Sequence, residues 1–315
     1  MTQAPLGDHG AELSIMIPTY NCAAYLEAAL HSVCVAGLDR AQVEVVDDCS
    51  TDDDPRAVVN AMGEGRVAFH RQACNVGLAA NFNTCIDRAT RRWVHVLHGD
   101  DYVLPGAYGV LGDLLVRHPQ AHVAFARCAM VDELGVHDGH TPVLGPGIDG
   151  ALPYDPMRWR LNPIQFSGAI FTKMAADAVG RFDDRLHHGA DWDFWWRLAK
   201  GFPTVFTNEV VGAYRRFEGN HTSSLVRSGD NLREGLQVLE RIAAAEPDVG
   251  VELYRSLFAL AVDQARSGAG DLGWVVAHAK VLSEFPPGFP KVRKIGRIAF
   301  SHGLARARHL TAGSR

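Results

Sequence analysis

The chain of 315 residues contains no C-x-x-C pair. Its six cysteines, Cys22, Cys34, Cys49, Cys74, Cys85 and Cys128, are scattered singly, which argues against a zinc or disulfide framework and for buried thiols in a reducing compartment. No run approaches the roughly 18 apolar residues that a membrane-crossing helix needs; even Ser256 to Val262 is ended by Asp263. The first dozen residues carry two acids and no apolar stretch, so no secretory signal is expected and the expected location is cytoplasmic. A reader of phosphate backbones needs a basic face, whereas the formal net charge is −5, so nucleic acid is not an expected partner. Gly-x-Gly-x-x-Gly is missing from the first strand–helix turn, which reads Thr19-Tyr20-Asn21-Cys22 and excludes a dinucleotide-binding Rossmann site. A P-loop is absent as well, and so is the glycine-rich, Arg-containing opening loop of a sugar-phosphate nucleotidylyltransferase.

What is present is a chain with 47% hydrophobic residues, enough for one large core or two modest ones. Short apolar runs at Leu13 to Pro18, Gln42 to Asp47, Arg66 to His70 and Trp93 to Leu97 read as strands. Helical spacing separates them, at Leu26, Ala29, Leu30 and Val33 and again over Leu78 to Ala89, with a third helix expected behind Ser50 and Thr51. Such alternation predicts an α/β fold with a mostly parallel sheet and helices on both faces, and ligands bind beyond the carboxyl ends of such strands. The polar clusters Thr19 to Asn21, Asp47 with Asp48, and Asp100 with Asp101 all fall at those ends. Asp138 to Pro163, rich in Gly and Pro, reads as a long loop that covers an active site. Three helical patterns, Leu232 to Ile242, Val251 to Gln264 and Trp274 to Leu282, predict a C-terminal α-helical extension. The expected division is a catalytic domain over 1–227, with halves at 13–101 and 102–227, and the extension over 228–315.

A strand ending in paired carboxylates can hold a hard divalent cation, because Mg2+ and Mn2+ take oxygen ligands and share them with phosphates. Paired acids after a strand also serve as helix caps and dipole partners, and Asp47 with Asp48 ahead of Ser50 fits that role equally. Their recurrence at the ends of successive strands favours a site.

The segments I-P-T-Y-N, V-V-D-D-C-S-T-D, N-V-G-L-A-A-N-F-N and H-G-D-D, in this order, resemble glycosyltransferase family 2 and its GT-A fold, over about Leu13 to Leu225. The resemblance implies inverting transfer from a nucleotide-diphosphate sugar, with Pro18, Thr19, Tyr20 and Asp48 around the base. It implies Asp100 on the ribose or sugar side, Asp101 as direct ligand of a Mn2+ or Mg2+ cofactor, and Asn75, Gly77 and Asn81 lining the donor pocket. Gly189 to Arg197 (GADWDFWWR) resembles the family's E-D-x-D-x-x-x-R helix start, which makes Asp191 the general base and puts Ala190 where the family has Glu. Asn220 to Ser224, after Tyr214-Arg215-Arg216, resembles a turn in which a histidine, here His221, joins the metal.

A UDP-sugar is the favoured donor and the transferred group a hexosyl or N-acetylhexosaminyl unit; a saccharide, a lipid-linked saccharide or a small molecule would accept it. The competing expectation is a non-catalytic nucleotide-sugar-binding protein that engages a partner through its helical C-terminus. From Lys291 onward seven Lys or Arg occur with no acid, interleaved with Ile295, Ile298, Phe300 and Leu304. That tail reads as a solvated basic terminus or as a peripheral contact with anionic membrane.

Overall fold

The computed structural model of the protein describes residues 6, 10–52, 54–63, 65–145, 147, 149–217, 221–268 and 271–289, with the backbone alone at 221–224 and 272. The chain forms two compact units, Met1–Tyr154 with Pro163–Phe217, and Asp155–Asn162 with Glu218–Arg315.

In the first unit strands β1 (Leu13–Thr19), β2 (Gln42–Asp47), β3 (Val67–Arg71) and β4 (Trp93–Val96) alternate with helices α1 (Ala23–Cys34), α2 (Pro55–Met62) and α3 (Leu78–Arg88). The second half adds β5 (Tyr102–Val103), α4 (Ala107–Arg117), β6 (Val123–Val131), β7 (His137–His140), β8 (Gly150–Ala151), β9 (Ala169–Thr172), α5 (Lys173–Val179), α6 (Ala190–Gly201) and β10 (Thr204–Arg215). Sheet order is β3-β2-β1-β4-β9-β6-β10-β5, with β7 on β6 and β8 on β10. The long pairings, β1 with β2 and β4, β2 with β3, and β6 with β10, are parallel, and the short ones involving β5, β7, β8 and β9 run antiparallel.

β1 lies between β2 and β4 and every one of its residues is buried, which is why its sequence is a continuous apolar run rather than an alternation. Leu13, Ile15 and Ile17 pack with Leu26 and Leu30 of α1 and Leu111 of α4 on one face. The other face carries α3 and an aromatic cluster in which Phe82, Phe166, Phe182, Phe194 and Trp195 meet ring to ring at 4.0 to 6.2 Å. This cluster fixes α6, whose first turn carries Asp191 and Asp193.

Three local readings are corrected. Helix α2 is capped by Asp54, whose carboxylate accepts from the Ala57 amide, with Pro55 at the first turn. Thr51 and Asp52 instead donate their amides to the Asn21 side chain. Helix α4 and the nine-residue strand β6 stand where no element was expected. The segment from 138 to 163 is not one loop: it holds part of β7, all of β8 and a 3-10 turn, Pro156–Arg160, which belongs to the second unit and buries Trp159.

The second unit contains α7 (His221–Ser228), α8 (Asp230–Ala245), a 3-10 turn (Pro247–Tyr254), α9 (Arg255–Ser267) and α10 (Leu272–Glu284). Leu232, Leu236, Leu239 and Ile242 of α8 recur at helical spacing and are buried, as are Leu257 and Ala261 of α9 and Val281 of α10. Asp271 caps α10 by accepting from the Trp274 amide. No helix of the described residues is long and apolar enough to cross a membrane. The basic tail, from residue 290 onward, lies outside the described residues.

Candidate active site

The carboxyl ends of β1, β2 and β4 converge because the strands are parallel neighbours. Asp48 donates its amide to the Thr19 carbonyl, and Gly99 donates to that of Pro18. Gly99 suits this close approach: a Cβ at this position would lie 3.0 Å from Cys22 Sγ and 3.1 Å from Thr19 Oγ1. A side chain in the second place of H-G-D-D would press Cys22 and Thr19 aside by a few tenths of an ångström. Thr19 is buried with its hydroxyl 2.9 Å from Cys22 Sγ, whereas the Tyr20 ring is exposed.

Asp48 accepts from the amides of Val76 at 2.8 Å and Gly77 at 3.0 Å, one on each oxygen. Gly77 has φ of 90°, a conformation that turns its amide to the carboxylate and that residues with a Cβ seldom adopt. Its amide also meets Asn75 Oδ1 at 3.1 Å. Burial raises the Asp48 pKa, and the two amides hold it back. Asn81, expected beside the donor, is buried and bonds the Val46 carbonyl and Gln72. Asp47 is bound by Ser50 and by Arg71 at 2.9 Å.

At the end of β4 the pattern differs. Asp101 is 1% exposed; its Oδ1 accepts from the Arg215 amide at 2.9 Å, while its Oδ2 is buried with no partner among the described residues. Burial pushes its carboxyl well above the usual carboxylate range, and the neighbouring Asp100 charge pushes it further. Burial raises Asp100 too. The His98 ring packs on Phe82, at 5.0 Å, and on Phe166, at 4.2 Å, which touch each other at 4.8 Å, and its Nε2 is buried and unpartnered among the described residues. Burial lowers its pKa to about 3, so the imidazole is neutral.

A ring nitrogen of His98 and one oxygen each of Asp100 and Asp101 lie within 4.8 Å of one another. This set fits a divalent cation on two grounds. Like-charged buried carboxylates repel until a cation lies between them, and the orphaned Asp101 Oδ2 otherwise forfeits its hydration without return. Motif matching singled out the acids and missed His98, although it opens the same tetrapeptide.

Arg215, inside the Tyr-Arg-Arg segment, turns inward. Its guanidinium donates to the carbonyls of Asp100, Asp132 and Glu133 and lies over the rings of Tyr25, at 4.9 Å, and Tyr102, at 5.6 Å. Nothing in the local sequence signals this role.

Asp193 is buried and ion-paired to Arg197 at 2.7 Å; Asp191 is partly exposed and accepts from the Trp192 amide. Asp191 precedes Trp195 by one turn, on the same helix face. Trp195 packs on Phe166, which packs on His98. Helix α6 is thereby tied to the carboxyl end of β4. His221 begins α7 in the second unit, and its side chain lies outside the described residues.

The chain is similar to several known proteins. It is 26% identical over 245 residues to the uncharacterized protein MT1568 of Mycobacterium tuberculosis, a match covering 72% of this chain and 74% of that one. Other mycobacterial relatives, 28% identical over 211 residues, are longer, and the match covers 58% of their length. Among solved structures, S. aureus TarS 1-349 in complex with UDP-GlcNAc superposes with a TM-score of 0.61 at 18% identity, over 87% of this chain and 82% of that one. The mannosyltransferase PcManGT of Pyrobaculum calidifontis, in complex with GDP-Man and Mn2+, superposes with 0.54 at 17% identity, over 96% and 88%. These likenesses identify the fold as GT-A. Residues 14–174, about half of the chain, match the family described as Glycosyl transferase family 2, and the chain belongs to that family.

Proposed function

We propose that the protein is an inverting, metal-assisted transferase that moves a hexosyl or N-acetylhexosaminyl group from a nucleotide-diphosphate sugar, a UDP-sugar first of all, to an acceptor hydroxyl. One observation carries the reading: the buried carboxylate of Asp101, in the turn between β4 and β5 beside Asp100, has one oxygen unpartnered among the described residues. Asp47, by contrast, has both oxygens engaged, by Ser50 and Arg71; the open oxygen of Asp101 supports a role as a cation ligand.

Pro18, Thr19 and Tyr20 at the end of β1, with Asp48 and the Asn75–Gly77 turn, form the wall against which the base and ribose lie. Asn81 supports that wall from behind through the Val46 carbonyl. Asp101, beside Asp100, would hold Mn2+ or Mg2+. A divalent ion, when bound, neutralises the charge that grows on the departing diphosphate and orients it, a contribution of several kcal/mol. Asp191 takes the proton of the acceptor hydroxyl as its oxygen attacks the anomeric carbon. The bond from that carbon to the diphosphate oxygen breaks on the opposite side, so the configuration inverts. A positioned base of this kind contributes about 10²–10⁴-fold. Two similar structures carry UDP-GlcNAc and GDP-Man in their names, which supports a diphosphate-sugar donor and leaves the base to experiment.

The test is a thermal-shift panel of nucleotide sugars with and without Mn2+, followed by donor hydrolysis with the donor that stabilises most. A metal-dependent rise with one donor, and slow hydrolysis of it, is expected. Stabilisation without hydrolysis or transfer to any acceptor would favour a nucleotide-sugar-binding protein, and no response to any donor would overturn the reading.

A further inference from the structure

We infer that His98 supplies a nitrogen ligand to the divalent ion of the Asp100–Asp101 site, and that the site consequently selects a first-row transition ion over Mg2+. The inference rests on the metal-assisted reading above and adds to it the identity of a ligand and the class of ion.

Two buried polar atoms without partners fall in one three-residue cluster, His98 Nε2 and Asp101 Oδ2. A buried group that loses its water and gains no partner is costly, and a cation held among these three residues is a partner that a ring nitrogen and a carboxylate oxygen both accept. Among the described residues neither atom meets a hydroxyl or an amide, and a cation serves a ring nitrogen and a carboxylate together.

The ring is also held for the task. Phe82 stacks on it with an interplanar angle of 23°, and Phe166 covers it at 34°. Phe166 is held in turn by Trp195 and Phe182. The imidazole therefore has little rotational freedom to lose when an ion binds, unlike a ligand on an exposed loop.

Selectivity follows from donor chemistry. Mg2+ takes oxygen ligands in a near-ideal octahedron and gains little from imidazole, whereas affinity for a nitrogen donor rises along the first-row divalent ions. An all-oxygen site would accept either kind. A site with a fixed nitrogen discriminates.

Pulsed EPR of the full chain loaded with Mn2+ and UDP reads directly coordinated nitrogen without reference to turnover. The expected result is a nitrogen coupling that changes on 15N-histidine labelling, disappears in His98→Asn and persists in His221→Asn. In competition, Mg2+ should displace Mn2+ from His98→Asp at an excess about tenfold lower than from the native chain. Bound Mn2+ without nitrogen coupling would overturn the inference and leave the metal-assisted reading standing; no bound Mn2+ would remove both. Coupling that survives His98→Asn and vanishes in His221→Asn assigns the nitrogen to the other histidine, which also overturns it. Should His98→Asn fail to fold, the native and His221→Asn spectra decide, because equal coupling in both supports His98 and its loss in the second does not.

Discussion

The turns after β2 and β4 look alike in sequence, each carrying an Asp-Asp pair, yet the pairs are engaged differently. After β2, the carboxylates are consumed by the chain itself: Asp47 by Ser50 and Arg71, Asp48 by the amides of Val76 and Gly77. After β4, Asp101 keeps an oxygen with no partner, and both pKa values are raised by burial. The first turn is satisfied within the chain; the second leaves a buried oxygen unpartnered among the described residues. What separates them is whether backbone amides and an arginine reach the oxygens, which a dipeptide does not reveal.

The comparison is broken most severely at Asp101. Asp101→Asn should lower turnover about 10³–10⁴-fold, several kcal/mol of charge stabilisation, while the melting temperature stays level or rises because repulsion with Asp100 is gone. Turnover and a melting curve measured together check this, and a marked loss of stability would contradict it. A third acidic pair sharpens the point. Asp191→Asn should cost about 10²–10⁴-fold in transfer with donor affinity unchanged. Asp193→Asn should act mainly on stability, because Arg197 would lose its buried partner.

Asp47→Asn should destabilise by about 1–3 kcal/mol in urea unfolding, since the Arg71 and Ser50 bonds weaken and no ligand role is lost. Acid should then reach the β4 side. His95 sits neutral in the core, with its Nε2–H on the Phe166 carbonyl and Nδ1 accepting from Tyr108, and burial lowers its pKa to about 4. The unfolded chain binds this proton near pH 6.5, so the stabilising contribution is complete above that value and falls as pH drops from 6.5 towards 4. About 2 kcal/mol should be lost by pH 5, and His95→Gln should flatten the slope. The smallest effect is expected at Asp48→Ala, about 1 kcal/mol of stability from the freed turn and weaker nucleotide binding at unchanged saturated rate. A fall in saturated rate with unchanged affinity would move Asp48 from the donor wall to the chemistry.

Much of the first hundred residues was legible because buried parallel strands and amphipathic helices leave separate periods. β1, β2, β4, α1 and α3 follow from apolar runs and their spacing. β6 did not, for a physical reason: VAFARCAMV is apolar on both faces, rich in Ala, and short of the β-branched signature, so its period matches a buried helix as well as a strand. α4 hid behind a left-handed Gly106 in place of a side-chain cap, with Gly109 and Gly112 inside it. In the candidate site, motif spacing brought out the acids; it could not tell Asp101 from Asp47, nor place His98 against its aromatic neighbours, because Phe82, Phe166 and Arg215 arrive from other segments.

Arg215 has a consequence for how the protein is made. Its amide satisfies Asp101 from 114 residues downstream, and its guanidinium gathers carbonyls that lie 82 to 115 residues earlier. During synthesis the strands of the donor half leave the ribosome first and can pair among themselves, but the acidic turn after β4 stays without its amide donor until β10 has emerged. Chains truncated before Arg215 should therefore protect the amides of β1 and β2 from hydrogen exchange while leaving those of residues 99–103 open.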